Sequence, residues 1–149
     1  KAIRTPYWFE KFDWFITSEN YLAVSARDGQ QAEMLVRRHL GPTDIYVHAD
    51  VEGSPVTIVK ALPGTEVDVP PLSLSQAGSC VICRSRGWES KVVTSAWWVK
   101  QDQVSKTDAS GHYLPTGQFH VTGTRCYLPP NQLLMGLGVL FRVDPGSVP

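Results

Sequence analysis

Apolar side chains alternate along the first part of the chain. Phe12, Trp14 and Ile16 are spaced two apart, Ser18-Glu19-Asn20 carries turn chemistry, and an apolar run returns from Tyr21, so the spacing predicts a hairpin over residues 12–26. The period then changes. Ala32, Leu35, Val36 and Leu40 share one face of a helix that Asp28 can cap and Gly41-Pro42 ends. In residues 44–50 the alternation is strict, with Ile45, Val47 and Ala49 on one face and Asp44, Tyr46, His48 and Asp50 on the other, which predicts a half-buried strand. Residues 56–60 are β-rich and near enough, across Glu52-Gly53-Ser54-Pro55, to pair with it antiparallel.

A Pro- and Gly-rich loop runs to Pro71. Ser73 and Gln76 have the spacing of a capping box, predicting a second helix over residues 73–86 that Gly87 stops. Residues 91–99, rich in Val, Thr and Trp, are the strongest strand signal; Trp97 and Trp98 must point to opposite faces, so a helix covering each face is the simplest account. Residues 100–117 read as a long polar loop, and residues 118–122 and 137–143 as two last strands. The fold class expected is α+β, a mainly antiparallel or mixed sheet packed with two helices in a single domain with its core over about residues 7–144.

Composition narrows the function. With 149 residues and 42% hydrophobic positions, one core can hold the chain together without disulfides. Three cysteines are too few and odd in number for a disulfide framework, and no run is apolar enough to cross a membrane, so a cytosolic setting with no membrane partner is expected. Lys1 at the start and the loose stretch 144–149 suggest a piece of a longer polypeptide. Net charge is zero, but residues 1–83 carry 7 Lys/Arg against 10 Asp/Glu and residues 84–149 carry 7 against 4, so the second half is the one expected to meet an anion.

Catalytic motifs are missing: no G-x-S-x-G elbow, no phosphate-binding glycine loop. Cys80 and Cys83 have C-x-x-C spacing but fall mid-helix without a second pair, and read as small apolar side chains facing the sheet. His48, Asp50 and Glu52 could share a strand face, yet a polar solvent face explains them equally well. A non-enzyme with no metal and no cofactor is expected.

Six ordered blocks carry a resemblance: Arg27-Asp28-Gly29-Gln30-Gln31, residues 44–50, residues 92–99, Gln103-Val104-Ser105-Lys106-Thr107, residues 111–117 and Leu128-Pro129-Pro130. Together they resemble the NFACT-R domain of the nuclear export mediator factor family, over nearly the whole chain. The resemblance implies an RNA-binding module of a ribosome-associated quality control factor. Such factors bind stalled large ribosomal subunits and support template-free C-terminal tailing of nascent chains. Partners implied are tRNA or large-subunit ribosomal RNA, with ribosomal proteins and a ubiquitin ligase reached through the full-length protein. The alternative is a protein-interaction domain that positions a coiled coil on the ribosome without touching RNA.

Carried over by position, the resemblance puts Arg27, Asp28 and Gln31 at the first helix start, His48 and Asp50 on the strand, and Gln103, Ser105 and Lys106 in the long loop as RNA-binding candidates. Lys91, Lys100 and Arg125 join them as cations of the basic half, able to neutralise phosphate. The sequence departs from the family pattern at Ala32, Glu52, Thr122, Thr124 and Cys126, which removes polar or basic groups from the same surface.

Overall fold

A computed structural model describes residues 4–91 and 93–147. Its main sheet has six antiparallel strands: β1 (Asp13–Ile16), β2 (Leu22–Ser25), β3 (Ile45–Ala49), β4 (Thr57–Val59), β5 (Ala96–Lys100) and β8 (Cys126–Tyr127). Their spatial order is β1-β2-β4-β3-β5-β8, and β6 (Val104–Ser105) and β7 (His120–Val121) pair separately. The helices are α1 (Gly29–His39), α2 (Pro71–Cys83) and α3 (Gly87–Ser90). This is the expected α+β class with an antiparallel sheet, and α3 is a third, single-turn helix beyond the two expected.

Period-two side chains divide the core between the two faces of the sheet. Ala23, Ile45, Val47, Val59 and Ala96 meet Leu74, Ala77, Val81 and Ile82 of α2. On the other face Val24, Tyr46, Ile58, Trp97 and Val99 meet Ala32 and Leu35 of α1, and Phe119 and Val121 of the small hairpin close the layer. Trp97 is therefore buried under α1 while Trp98 packs toward α2, one helix for each face, the simplest account of the two indoles. β3 is buried on both faces rather than half buried, because α1 and the β6–β7 hairpin cover the side that carries Tyr46 and His48.

Several boundaries differ for identifiable reasons. α2 begins at Pro71, where proline's missing N–H costs nothing, so Ser73 is inside the helix and no capping box forms. Ser73 instead meets Thr17 Oγ1 at 2.8 Å and donates its amide to Glu19 Oε1 at 2.8 Å, while Gln76 holds Ser18, so the two side chains fasten the β1–β2 turn. α2 ends at Cys83 and Gly87 opens α3 rather than stopping α2. The strand expected over 91–99 is shorter, since β3 runs out at Ala49 opposite Ala96 and leaves Lys91 to cap α3; Val92 lies outside the described residues. Of the two last strands, the first is present as β7, paired with a β6 that the loop reading missed. Residues 137–143 find no partner strand among the described residues, and Leu137, Val139, Leu140 and Phe141 are exposed. β8 occupies the edge beside β5 instead. The loose end expected over 144–149 contains a short turn at Pro145–Ser147, and Val148 and Pro149 lie outside the described residues.

Candidate nucleic-acid interface

The start of α1 is assembled from three of the expected residues. Asp28 caps the helix, accepting the Gln31 amide at 2.8 Å; Gln31 Oε1 in return accepts the Arg27 amide at 3.0 Å. Gln31 Nε2 reaches the Lys11 carbonyl at 2.9 Å, fastening the N-terminal turn to the helix. Among the described residues no group accepts from the amides of Gly29 and Gln30, so two donors and the positive end of the helix dipole face outward. Gly29 packs against Gly117, whose φ is +83°; a Cβ on Gly117 would lie 2.5 Å from Gly29 Cα. That contact needs glycine at Gly117, both for the backbone angle and for the space.

A cleft of about 660 Å³ opens here, lined by Asp13, Arg27, Asp28, Gly29, His48, Ser54, Arg84 and Gly117, among others. At its wall the Asp13 carboxylate holds Arg27 through Oδ1 at 3.0 Å and Arg84 through Oδ2 at 3.2 Å, both guanidiniums staying 41% exposed or more. Two cations on one carboxylate leave one positive charge over. His48 Nε2 donates to the Ser54 carbonyl at 3.1 Å, which leaves Nδ1 as an acceptor. Burial lowers the His48 pKa, with the Ser54 carbonyl and Asp50 opposing and Arg125 adding to the fall, so its ring is a neutral hydrogen-bonding group at neutral pH. The Ser54 hydroxyl is buried in the same wall without a partner among the described residues.

The remaining candidates separate into three sets. Asp50 accepts the Trp97 indole N–H at 3.2 Å, and the Arg125 guanidinium lies 4.8 Å over the Trp97 ring, itself 5.8 Å from His48. Asp50 and Arg125 thus join His48 through one indole, and Arg125 Nε is buried without a partner among the described residues. Gln103, Ser105 and Lys106 are occupied internally. Gln103 Nε2 donates to the carbonyls of Thr122 and Thr124, and Ser105 Oγ pairs with Thr107 Oγ1 at 3.0 Å. Lys106 Nζ gives its three protons to Glu33 at 3.0 Å and to the carbonyls of Pro115 and Gln118 at 2.8 Å each. Lys100 pairs with Asp68 at 2.7 Å, and Lys91 sits in the left-handed region at the end of α3; neither lines the cleft.

Sequence reasoning missed Arg84 and Asp13, which meet Arg27 only because the end of α2 and the start of β1 come together in space. No spacing rule links them. Glu52, read beside His48 and Asp50, turns away to pair with Arg86 at 2.5 Å. Cys80 and Cys83 are half-buried free thiols, and burial raises Cys80 despite Arg84 nearby, opposite to an activated thiolate. Among the described residues no three His, Cys, Asp or Glu side chains cluster as a metal site, and no helix is long and apolar enough to cross a membrane.

Comparison with known proteins bears on this surface. A family model described as NFACT protein RNA binding domain matches residues 11–123, which hold the cleft, α1, α2 and the small hairpin. The chain is 50% identical over 145 residues to "Ribosome quality control complex subunit NEMF" of Mus musculus and, at the same identity, of Homo sapiens; the match covers 97% of this chain and 13% of each relative. The chain therefore spans about an eighth of the length of these relatives. Among solved structures, the C-terminal part of the fibronectin/fibrinogen-binding protein from Streptococcus suis superimposes with a TM-score of 0.63 at 10% identity, over 89% of this chain and 49% of that one, a likeness of fold.

Proposed function

The chain belongs to the family of NFACT protein RNA-binding domains, and from that premise we propose that it binds RNA at the cleft where α1 begins, acting by contact and not by catalysis. The observation that carries this reading is the pair Arg27 and Arg84 on a single Asp13 carboxylate, with Gly29, whose amide is free among the described residues, lining the same opening. Guanidiniums and helix-start amides are suited to phosphate, and neutral His48 and Asp28 supply acceptors for a ribose hydroxyl. A module with zero net charge and most of its cations already in ion pairs binds RNA modestly by itself. The relatives named as ribosome quality control subunits support a ribosomal setting for that RNA; the ligand we propose is tRNA or large-subunit ribosomal RNA, within a longer protein that works on stalled large subunits and supports tailing of their nascent chains.

The test is binding of labelled tRNA and of large ribosomal subunits to this chain across a salt series, with Arg27→Gln and Arg84→Gln beside wild type. Each substitution should weaken binding and lower the slope of log K against log salt by about 0.7–0.9. Unchanged affinity and slope in both variants would refute the cleft as the RNA site. A protein-docking reading has one observation of its own: Leu134, Met135, Leu137, Val139, Leu140, Phe141 and Val143 form an exposed apolar run. Binding to large subunits that ignores salt and both arginine substitutions would favour it.

A further inference from the structure

The N-terminal turn that precedes β1, Trp8–Lys11, carries an unusual display of aromatic rings. Tyr7 stacks on Phe9 at 5.4 Å with an interplanar angle of 2°, and Phe9 meets Trp14 edge-on at 4.9 Å. Phe9 is half-buried and packs on the α1-side core, but Tyr7 is 66% exposed and Trp14 43% exposed. Exposed rings lose rotational freedom when they bind, which weakens them as anchors. This pair is already held. Glu10 accepts the Tyr7 amide at 2.8 Å and grips the Arg4 guanidinium through both carboxylate oxygens, and that guanidinium lies 5.9 Å from the Tyr7 ring. Trp14 is set by its strand and by Phe9.

We propose that Tyr7 and Trp14 form a stacking platform for the bases of single-stranded RNA, on a strand whose phosphates run toward Arg27 and Arg84. The inference rests on the RNA reading above and names the form of RNA it takes. Three observations select a nucleic-acid occupant over an apolar one. First, the surroundings are cationic: Arg4, Lys11, Arg27 and Arg84 stand against Glu10 and Asp13, and Lys11 has no carboxylate partner among the described residues. Second, the turn that carries the platform is fastened to the start of α1, where the cleft opens, since Gln31 Nε2 donates to the Lys11 carbonyl at 2.9 Å, while Trp14 itself faces the α1 side of the sheet and Asp13 the other. Third, β1 is an edge strand, so its outer main-chain donors and acceptors stay open to base edges beside the rings. A duplex keeps its bases stacked inside and cannot use such rings; a single strand can, with little preference among bases.

The experiment measures binding of this chain to oligouridylate, oligoadenylate and a blunt RNA duplex of equal length by fluorescence anisotropy. Tyr7→Ala and Trp14→Ala should each weaken single-strand binding roughly 10-fold, Tyr7→Phe and Trp14→Phe should lose less than the corresponding alanine variants because a ring remains to stack, and duplex binding should move less than about 2-fold, as expected when only phosphate contacts remain. Cross-linking of a 4-thiouridine oligonucleotide to the wild-type chain, with the modified residue mapped, tests the same contact without any substitution: adducts on Tyr7 or Trp14 support it. Alanine variants that melt as wild type yet bind single strands equally well, or adducts only elsewhere, would overturn the platform while leaving the cleft standing. A wild-type chain that binds neither strand form would overturn the RNA reading itself.

Discussion

Lys106 offers the sharpest separation between holding the fold and holding RNA. Its side chain is 15% exposed and that of Glu33 is 16% exposed, and the ammonium joins α1 to the carbonyls of Pro115 and Gln118. Phe119 and Tyr113 rings lie 4.8 and 5.4 Å from the same nitrogen. Lys106→Met keeps the stem and removes the charge, leaving the Gln118 carbonyl without a donor among the described residues, the Pro115 carbonyl with only the Gln118 amide at 3.0 Å, and Glu33 with the Gly117 amide at 2.9 Å and Arg37 at 2.9 Å. Breaking a buried pair costs about 3–5 kcal/mol. With Arg37 retained and some solvent access, about 2–4 kcal/mol is the expected loss here. At this chain length that lowers the melting temperature by about 5–15 °C. Urea and thermal unfolding followed by tryptophan fluorescence measure it, and RNA affinity at a temperature where the variant is folded should stay within about 2-fold of wild type, the change expected when no phosphate contact is lost. A Lys106→Met variant as stable as wild type that lost RNA binding about 10-fold would show the ammonium facing phosphate, refuting the reasoning. Adding Glu33→Gln to Lys106→Met should cost less than the sum of the two singles, since they share one contact.

Gly117→Ala puts a Cβ 2.5 Å from Gly29 Cα at a φ of +83°; a loss of about 2–4 kcal/mol is expected, with the start of α1 displaced and RNA affinity falling with it. Stability should fall as the pH drops below about 6.5, because burial depresses both His39 and His48 in the folded state: each favours folding above its unfolded pKa, and that contribution is lost down to the folded one. Urea midpoints across pH 5–8 read this, and a slope unchanged in the His39→Asn, His48→Asn double variant would count against it. For Glu33, desolvation pushes the carboxyl up, but the Gly117 amide, Lys106 and Arg37 more than offset it, so the group lies below its ordinary value. Its contribution is present above about pH 4.3 and lost as the pH falls through the folded value, a slope that Glu33→Gln should remove.

The strand and helix periods were legible because each element buries a repeating face, and they placed the hairpin of β1 and β2, α1, β3, β4, α2 and most of β5. Legibility failed wherever an element's partner is distant in sequence. Residues 137–143 alternate like a strand but meet no strand among the described residues; Cys126 and Tyr127, with a weak pattern, pair with Trp98 and Trp97 because that edge was open. Ser73 looks like a cap until Glu19, from another turn, takes its amide.

The candidate residues divide along the same line. Asp28 and Gln31 cap α1 through contacts within four residues, so the local sequence determined that cap, while Gln31's bond to the Lys11 carbonyl came only with the fold. Arg27, Asp13 and Arg84 form a site only after β1, α1 and the end of α2 are brought together, and no local pattern encodes that meeting. Lys106 and Gln103 read alone as solvent-facing polar groups of a loop; the tertiary structure turned them inward, because the loop must satisfy its own carbonyls against α1 and β7. What the sequence determined by itself was which segments have a face to bury and which family they resemble. What only the folded chain decided was which cations were left free, since an ion pair is made by distance in space and not by distance along the chain.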